Sequence, residues 1–244
     1  MTGSRLEAAK WVLVYLGAMR ADFRARAAAA ALLALACGGR TAAVRPTEAQ
    51  AWATAPDAAA ESLLVDVRSV DSTIVVDARY ATPDNFTGQP LPGYEAPRVL
   101  LRREPAAALG RVQARLRTGG LGLKVFDGYR PVRATLAMVD WAERTGRREL
   151  VDSGYIARRS RHNLGVAVDL TMVDPASGSE VPMGTPFDTF TPEAHTANAT
   201  GRVRRYRQIL VQVMESEGFR NYEKEWWHFS YPVPGAVAFD RAIR

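Results

Sequence analysis

One aspartate set inside an otherwise uncharged run constrains this chain more than any other feature. Val166-Ala167-Val168-Asp169-Leu170-Thr171-Met172-Val173 is β-branched and aliphatic, and it reads as a strand over Val166–Val173. Alternation puts Ala167 and Asp169 on one face, with Val166 and Val168 on the other. A carboxylate among such neighbours is costly to bury unless something positive satisfies it, as a divalent metal does. His162 stands seven residues earlier with Gly165 between. The glycine lets the backbone turn, so the imidazole can fold back toward the carboxylate. Imidazole and carboxylate are suitable zinc ligands.

The chain has three histidines: His162, His195 and His228. His228 lies in Glu225-Trp226-Trp227-His228-Phe229, an ionisable pair in an aromatic run. Three protein ligands with an open fourth position is the pattern of catalytic zinc, and His228 supplies the third. Glu225 precedes His228 by three residues. A regular strand would place the two on opposite faces, so a bulge or bend is needed to bring both into one site. Each segment alone is a weak sign, because a lone histidine beside a glycine is more often structural and an aromatic run is more often core. Together they use two of the three histidines, and each adds a carboxylate in an apolar setting. His195, in a Thr-, Pro- and Ala-rich loop, is expected to be exposed and not a ligand.

The rest of the folded part is read by periodicity. Leu63–Val67, Thr73–Ala78 and Leu121–Phe126 are strand-like runs. Residues 80–94 are rich in Pro, Asn and Gly and form a long ordered loop. Glu104–Thr118 is helical, with Leu109, Val112 and Leu116 on one face and Gly119-Gly120 as its stop. Asp127-Gly128-Tyr129-Arg130-Pro131 ends the strand before it, and Pro131 suits the first residue of a helix running to about Arg147. Arg130 therefore stands at a rigid strand end where site residues belong, and Asp127 is expected to brace the loop or to orient Arg130. Gly201–Gly218 is an amphipathic helix, and Phe219–Tyr231 finishes with a strand. Without a βαβ rhythm, this order predicts an α+β fold, a central and mostly antiparallel sheet with helices packed on it.

The 244 residues carry a net charge of +6, which invites a nucleic-acid reading. Half of that charge sits in residues 1–36, where Arg5, Lys10, Arg20, Arg24 and Arg26 face Glu7 and Asp22. The remaining arginines alternate with acids on predicted helices, so no nucleic-acid partner is expected. Ala27–Ala36 is an uncharged Ala/Leu run behind Arg24 and Arg26. It is too short for the ~20 apolar residues that cross a bilayer and reads as an export signal. Leu33-Ala34-Leu35-Ala36-Cys37-Gly38-Gly39 resembles a bacterial lipoprotein signal, with Ala34 where Leu is commoner. The alternative is a plain secretory signal cut near Ala36 or Ala43. Met19 would make a conventional start. The expected organisation is a signal segment 1–36, a flexible tether 37–60 and one domain over 61–244. The expected location is exported, periplasmic or in the cell envelope, and any membrane contact is expected only through a lipid on Cys37. With that one cysteine, no intrachain disulfide can form.

Ser160-x-His162-x-x-Gly165-x-Ala167-x-Asp169 followed by Glu225-x-Trp227-His228 resembles the signature of bacterial zinc peptidases that cut D-alanyl peptides. Lysostaphin-type and hedgehog-type domains share that scaffold. Asp127–Pro131, Glu225–Phe229, Tyr80–Gly88 and Met183–Phe190 are similar to the D-alanyl-D-alanine dipeptidase (VanX-type) branch, and the likeness runs from about residue 63 to the end. The resemblance implies one zinc per chain on His162, Asp169 and His228, with Glu225 as base and Arg130 as transition-state stabiliser. It implies that Ser160 and Asp188 bind the free amino end of a D-Ala-D-Ala dipeptide, which is hydrolysed to two D-alanines. The rivals are a D,D- or L,D-carboxypeptidase acting on peptidoglycan stems, and a non-catalytic zinc-containing wall-binding module. The presence of Glu225 and Arg130 argues against the second, since binding alone needs neither.

Overall fold

A computed structural model describes residues 53–244. The predicted signal segment, Cys37 and most of the predicted tether lie outside the described residues. The tether was expected to extend to residue 60, yet its last part is ordered and packed. Ala55 N–H donates to Ala238 O at 2.8 Å, and helix α1 (Asp57–Leu63) buries Ala60 completely. An Ala-rich composition does not show that one of the alanines will meet a core.

The main sheet has five strands in the order β2-β4-β5-β7-β6, formed by Val75–Val76, Gly122–Asp127, Ala167–Val173, Glu225–Ser230 and Arg220–Tyr222. Only the β2–β4 pair is parallel, and the other three pairs are antiparallel. A separate ribbon pairs β1 (Leu64–Asp66) with β3 (Leu100–Arg102). With helices packed on it, this mostly antiparallel sheet makes the fold α+β.

All seven residues of β5 are buried, because helices and loops cover both faces of the sheet. On one side lies α3 (Arg103–Thr118), which follows the four-residue α2 (Val67–Val70) and buries Leu109, Val112 and Leu116 as its spacing predicts. It packs beside the later helix α6 (Gly201–Ser216). In a second core cluster, α4 (Val132–Arg144) buries Ala134, Met138 and Ala142 beside Tyr80, Tyr94 and Tyr129. Pro131 occupies the residue before α4 rather than its first position. A short α5 (Glu149–Asp152) follows.

Two local features aim the site. On β4, Val125 pairs with Leu170 and Asp127 with Asp169, so two steps on β4 match one on β5. This bulge at Phe126 turns the strand end and starts the Asp127–Pro131 segment. At Gly128 a Cβ would lie 2.5 Å from Leu100 O, so only glycine allows β3 to come this close. There Tyr129 N–H donates to Leu100 O at 2.6 Å and Arg130 N–H to His162 O at 3.1 Å.

Candidate metal centre and cleft

Three neighbouring strands put their chemistry in one row. Asp169 on β5 pairs with Asp127 on β4 and with His228 on β7. His162 comes from a 3-10 turn, Arg161–Leu164, just before β5. Ser160 Oγ accepts from the His162 N–H at 3.2 Å, and Asn163 Oδ1 accepts from the Ser160 N–H at 3.0 Å, closing the start of the turn. Gly165 ends it at φ +68°, a left-handed conformation costly for other residues. This reversal folds His162 back over Asp169.

The resulting triangle is tight. His162 Nε2 lies 3.1 Å from His228 Nδ1 and 3.3 Å from Asp169 Oδ2, and His228 Nδ1 lies 3.0 Å from Asp169 Oδ1. Ligands at ~2.0–2.1 Å from a tetrahedral zinc stand about 3.3 Å apart, so these donors fit that ion. His162 Nδ1 is 2.6 Å from Gly128 O. Donating its proton to that carbonyl leaves Nε2 a bare acceptor toward the triangle. His162 and Asp169 are buried and His228 is mostly so. Burial alone would raise the Asp169 carboxyl, but His162 first and then His228 outweigh it and hold it below its usual range. Burial holds the His228 imidazole below its usual value, favouring the neutral form that can act as a ligand.

The bend required of Glu225 is present. One step along β6, from Asn221 to Tyr222, spans four along β7, from Phe229 to Glu225. The Asn221 side chain fills the irregularity, its Nδ2 donating to the carbonyls of Glu225 and His228 at 3.0 Å each. As a result Glu225 Oε2 stands 3.7 Å from His228 Nδ1. Burial first, then Asp169 and Asp188, push the Glu225 carboxyl well above its usual value.

Arg130 faces the row from the end of β4. Its Nε and Nη2 donate to Asp127 Oδ2 at 3.0 and 2.8 Å, its Nη2 is 3.7 Å from Asp169 Oδ2, and its guanidinium lies 5.0 Å above the Tyr80 ring. Asp127 therefore braces Arg130, and it is fixed in turn by the Tyr94 hydroxyl at 2.6 Å. Asp188 is held at φ +60°, and both its oxygens accept from Tyr80 at 3.1 Å. Burial first, then Asp169, push its carboxyl well up.

All of the expected site residues among those described line one cleft of about 330 Å³. That volume is at the small end of the range for small-molecule sites, about 300–1,000 Å³. His195 is half-buried rather than exposed, because its Nε2 is bonded to the Tyr155 hydroxyl at 2.7 Å on the cleft rim. Tyr80, Tyr94 and Asn221 were not singled out from sequence. Each is an ordinary residue whose importance comes only from what folding sets beside it.

A buried His-Asp-His triangle, with a carboxylate and an arginine facing it across a cleft, is the equipment of a metal-dependent hydrolase. The chain belongs to the D-ala-D-ala dipeptidase family of metallopeptidases, which it matches over residues 60–242. It is 38% identical over 187 residues to a D-alanyl-D-alanine dipeptidase of Enterococcus faecium, covering 69% of this chain and 92% of that one. It is 39% identical over 169 residues to one of Streptomyces coelicolor, covering 63% and 84%. To the Escherichia coli enzyme of the same name it is 30% identical over 171 residues, covering 69% and 84%.

Proposed function

We propose that this protein hydrolyses D-alanyl-D-alanine to two D-alanines, with one zinc held by His162, Asp169 and His228. The observation that carries the reading is the convergence of two features on one small cleft. One is a triangle of donors at tetrahedral spacing beside Glu225 and Arg130. The other is Asp188, a half-buried carboxyl on the cleft whose charge is disfavoured by desolvation and by the nearby Asp169, and which a cation would satisfy. The ammonium of a free amino terminus is such a cation, and Ser160 on the same cleft wall is placed to assist. When bound, zinc supplies Lewis acidity toward the scissile carbonyl and acidifies an adjacent water.

The chain's own residues do the rest. Glu225 takes a proton from the water and returns it to the leaving amine. Its place 3.7 Å from His228 Nδ1, outside the donor triangle, lets it reach such a water without being a ligand. Arg130, kept charged and aimed by Asp127 and Tyr80, donates N–H groups to the oxyanion. Losing such a donor typically costs ~10²–10³ in rate.

The test is turnover of D-Ala-D-Ala by the purified protein, with and without a chelator, beside a pentapeptide stem. Chelator-sensitive release of D-alanine from the dipeptide alone is expected. Preference for the stem would make the protein a carboxypeptidase, and turnover of neither would make it a binding module. Export with a lipid on Cys37 is part of the same proposal, supported by the basic flank and short apolar run before that residue. Cys37→Ser should then move the protein from the membrane fraction to the soluble one. A wild type already soluble would leave plain secretion.

A further inference from the structure

Arg207, on the second turn of α6, is 2% exposed. Burying a guanidinium is costly unless it is paired and fully hydrogen-bonded. Among the described residues Arg207 makes no ion pair with a carboxylate. It is solvated by three backbone carbonyls instead: its Nε donates to Met183 O at 2.8 Å, Nη1 to His195 O at 2.7 Å and Nη2 to Glu193 O at 3.0 Å. Burial holds the group below its ordinary value, and no neighbouring charge offsets this.

Those three carbonyls belong to one segment, residues 183–195, and they lie at its two ends. The middle is packed by aromatic rings. Phe187 stacks on Phe126 at 4.6 Å and meets Trp227 edge-on at 5.5 Å, and Phe190 meets Phe86 at 5.0 Å. Asp188 sits between these two phenylalanines as the one non-glycine at positive φ among the described residues. Such a conformation persists only when its surroundings over-determine it. The rings fix the flanks of Asp188, and side chains hold each end separately, Trp226 Nε1 donating to Thr185 Oγ1 at 2.9 Å and the Tyr155 hydroxyl meeting His195 Nε2 at 2.7 Å, but Arg207 alone among these contacts ties the two ends to each other. Arg207 draws both ends onto α6 with one rigid fork. The ammonium of a lysine could not span the three acceptors in that way.

We infer that Arg207 is a positioning residue for recognition of the substrate's amino group. It closes the 183–195 segment so that Asp188 points into the cleft. This rests on the reading that Asp188 receives that amino group. Arg207 touches neither the metal triangle nor Glu225 in this structure, so its effect belongs on binding more than on chemistry.

The experiment is a double-mutant cycle on the zinc-loaded protein with D-Ala-D-Ala as substrate. Arg207→Lys should raise KM about tenfold, the loss expected when one charge-assisted hydrogen bond is misaligned. Its kcat and zinc content should stay close to wild type. Asp188→Asn should raise KM at least as much, and the double variant should be no worse than Asp188→Asn, because positioning has no effect once its object is gone. Additive effects on KM, or a fall in kcat alone, would give Arg207 a purely structural role and overturn the inference. An unchanged KM in Asp188→Asn would instead sink the reading of Asp188 itself, whatever Arg207 does. Should Arg207→Lys not fold, Arg207→Gln, which keeps two donors without the charge, takes its place in the cycle and decides by the same non-additivity.

Discussion

Glu225 and Asp169 are both buried carboxylates beside His228, yet their positions give them different work. Asp169 lies within hydrogen-bond distance of His228 Nδ1 and close to His162 Nε2, inside the donor triangle. Glu225 stands further out, at 3.7 Å from His228 Nδ1. Glu225→Gln keeps the shape and hydrogen-bonding reach of the side chain but cannot take up a proton. It should bind zinc almost normally, while turnover falls by at least ~10²–10⁴, the range of general acid–base catalysis. Asp169→Asn weakens the metal site itself, so zinc content and turnover should fall together. Metal analysis beside initial rates separates the two cases. Zinc lost in step with activity from Glu225→Gln would make Glu225 a ligand and leave the base unassigned.

At the scale of elements, what could be read from sequence depended on how far apart the interacting residues are. The helices α3, α4 and α6 show themselves because a period of about 3.6 is a local property. So does β5, whose lone carboxylate also marks where a positive charge must come. The three residues of β3 carry no period, and Leu100–Arg102 becomes a strand only by pairing with Leu64–Asp66, far earlier in the chain. The bend between Asn221 and Phe229 is likewise a property of a strand pair. Sequence arithmetic shows that Glu225 and His228 need such a bend, but nothing in Arg220-Asn221-Tyr222 says that an amide will fill it. The triangle was legible because histidines are rare here and sit in unusual contexts. The braces around it, Tyr80, Tyr94 and Asn221, were not, because tyrosine and asparagine are common and their roles are fixed by distant partners.

For the whole molecule, stability at low pH turns on a contact far from the cleft. Glu217 caps the C-terminal end of α6, mostly buried, and accepts from Arg111 Nε at 2.6 Å and from Arg115 Nε, both on α3. It thereby clamps together the two long helices that lie on one side of the sheet. Burial alone would raise its carboxyl, but the hydrogen bonds from Arg111 and Arg115 outweigh that and leave it below its usual value. A carboxyl whose affinity for protons is lowered on folding stabilises the fold above its ordinary pKa, and that contribution disappears as pH falls through the folded value. Both arginines are about half exposed, so water screens the pair and the contribution is about 1 kcal/mol. For a domain of this size that is ~2–4 °C in Tm. Glu217→Gln should therefore melt ~2–4 °C below wild type at pH 7, and the gap should close as pH drops below the usual carboxylate range. The difference between the two proteins isolates Glu217 from the cleft carboxyls, which titrate alike in both. A gap that stays constant across that range would show that the clamp owes its strength to packing rather than to charge.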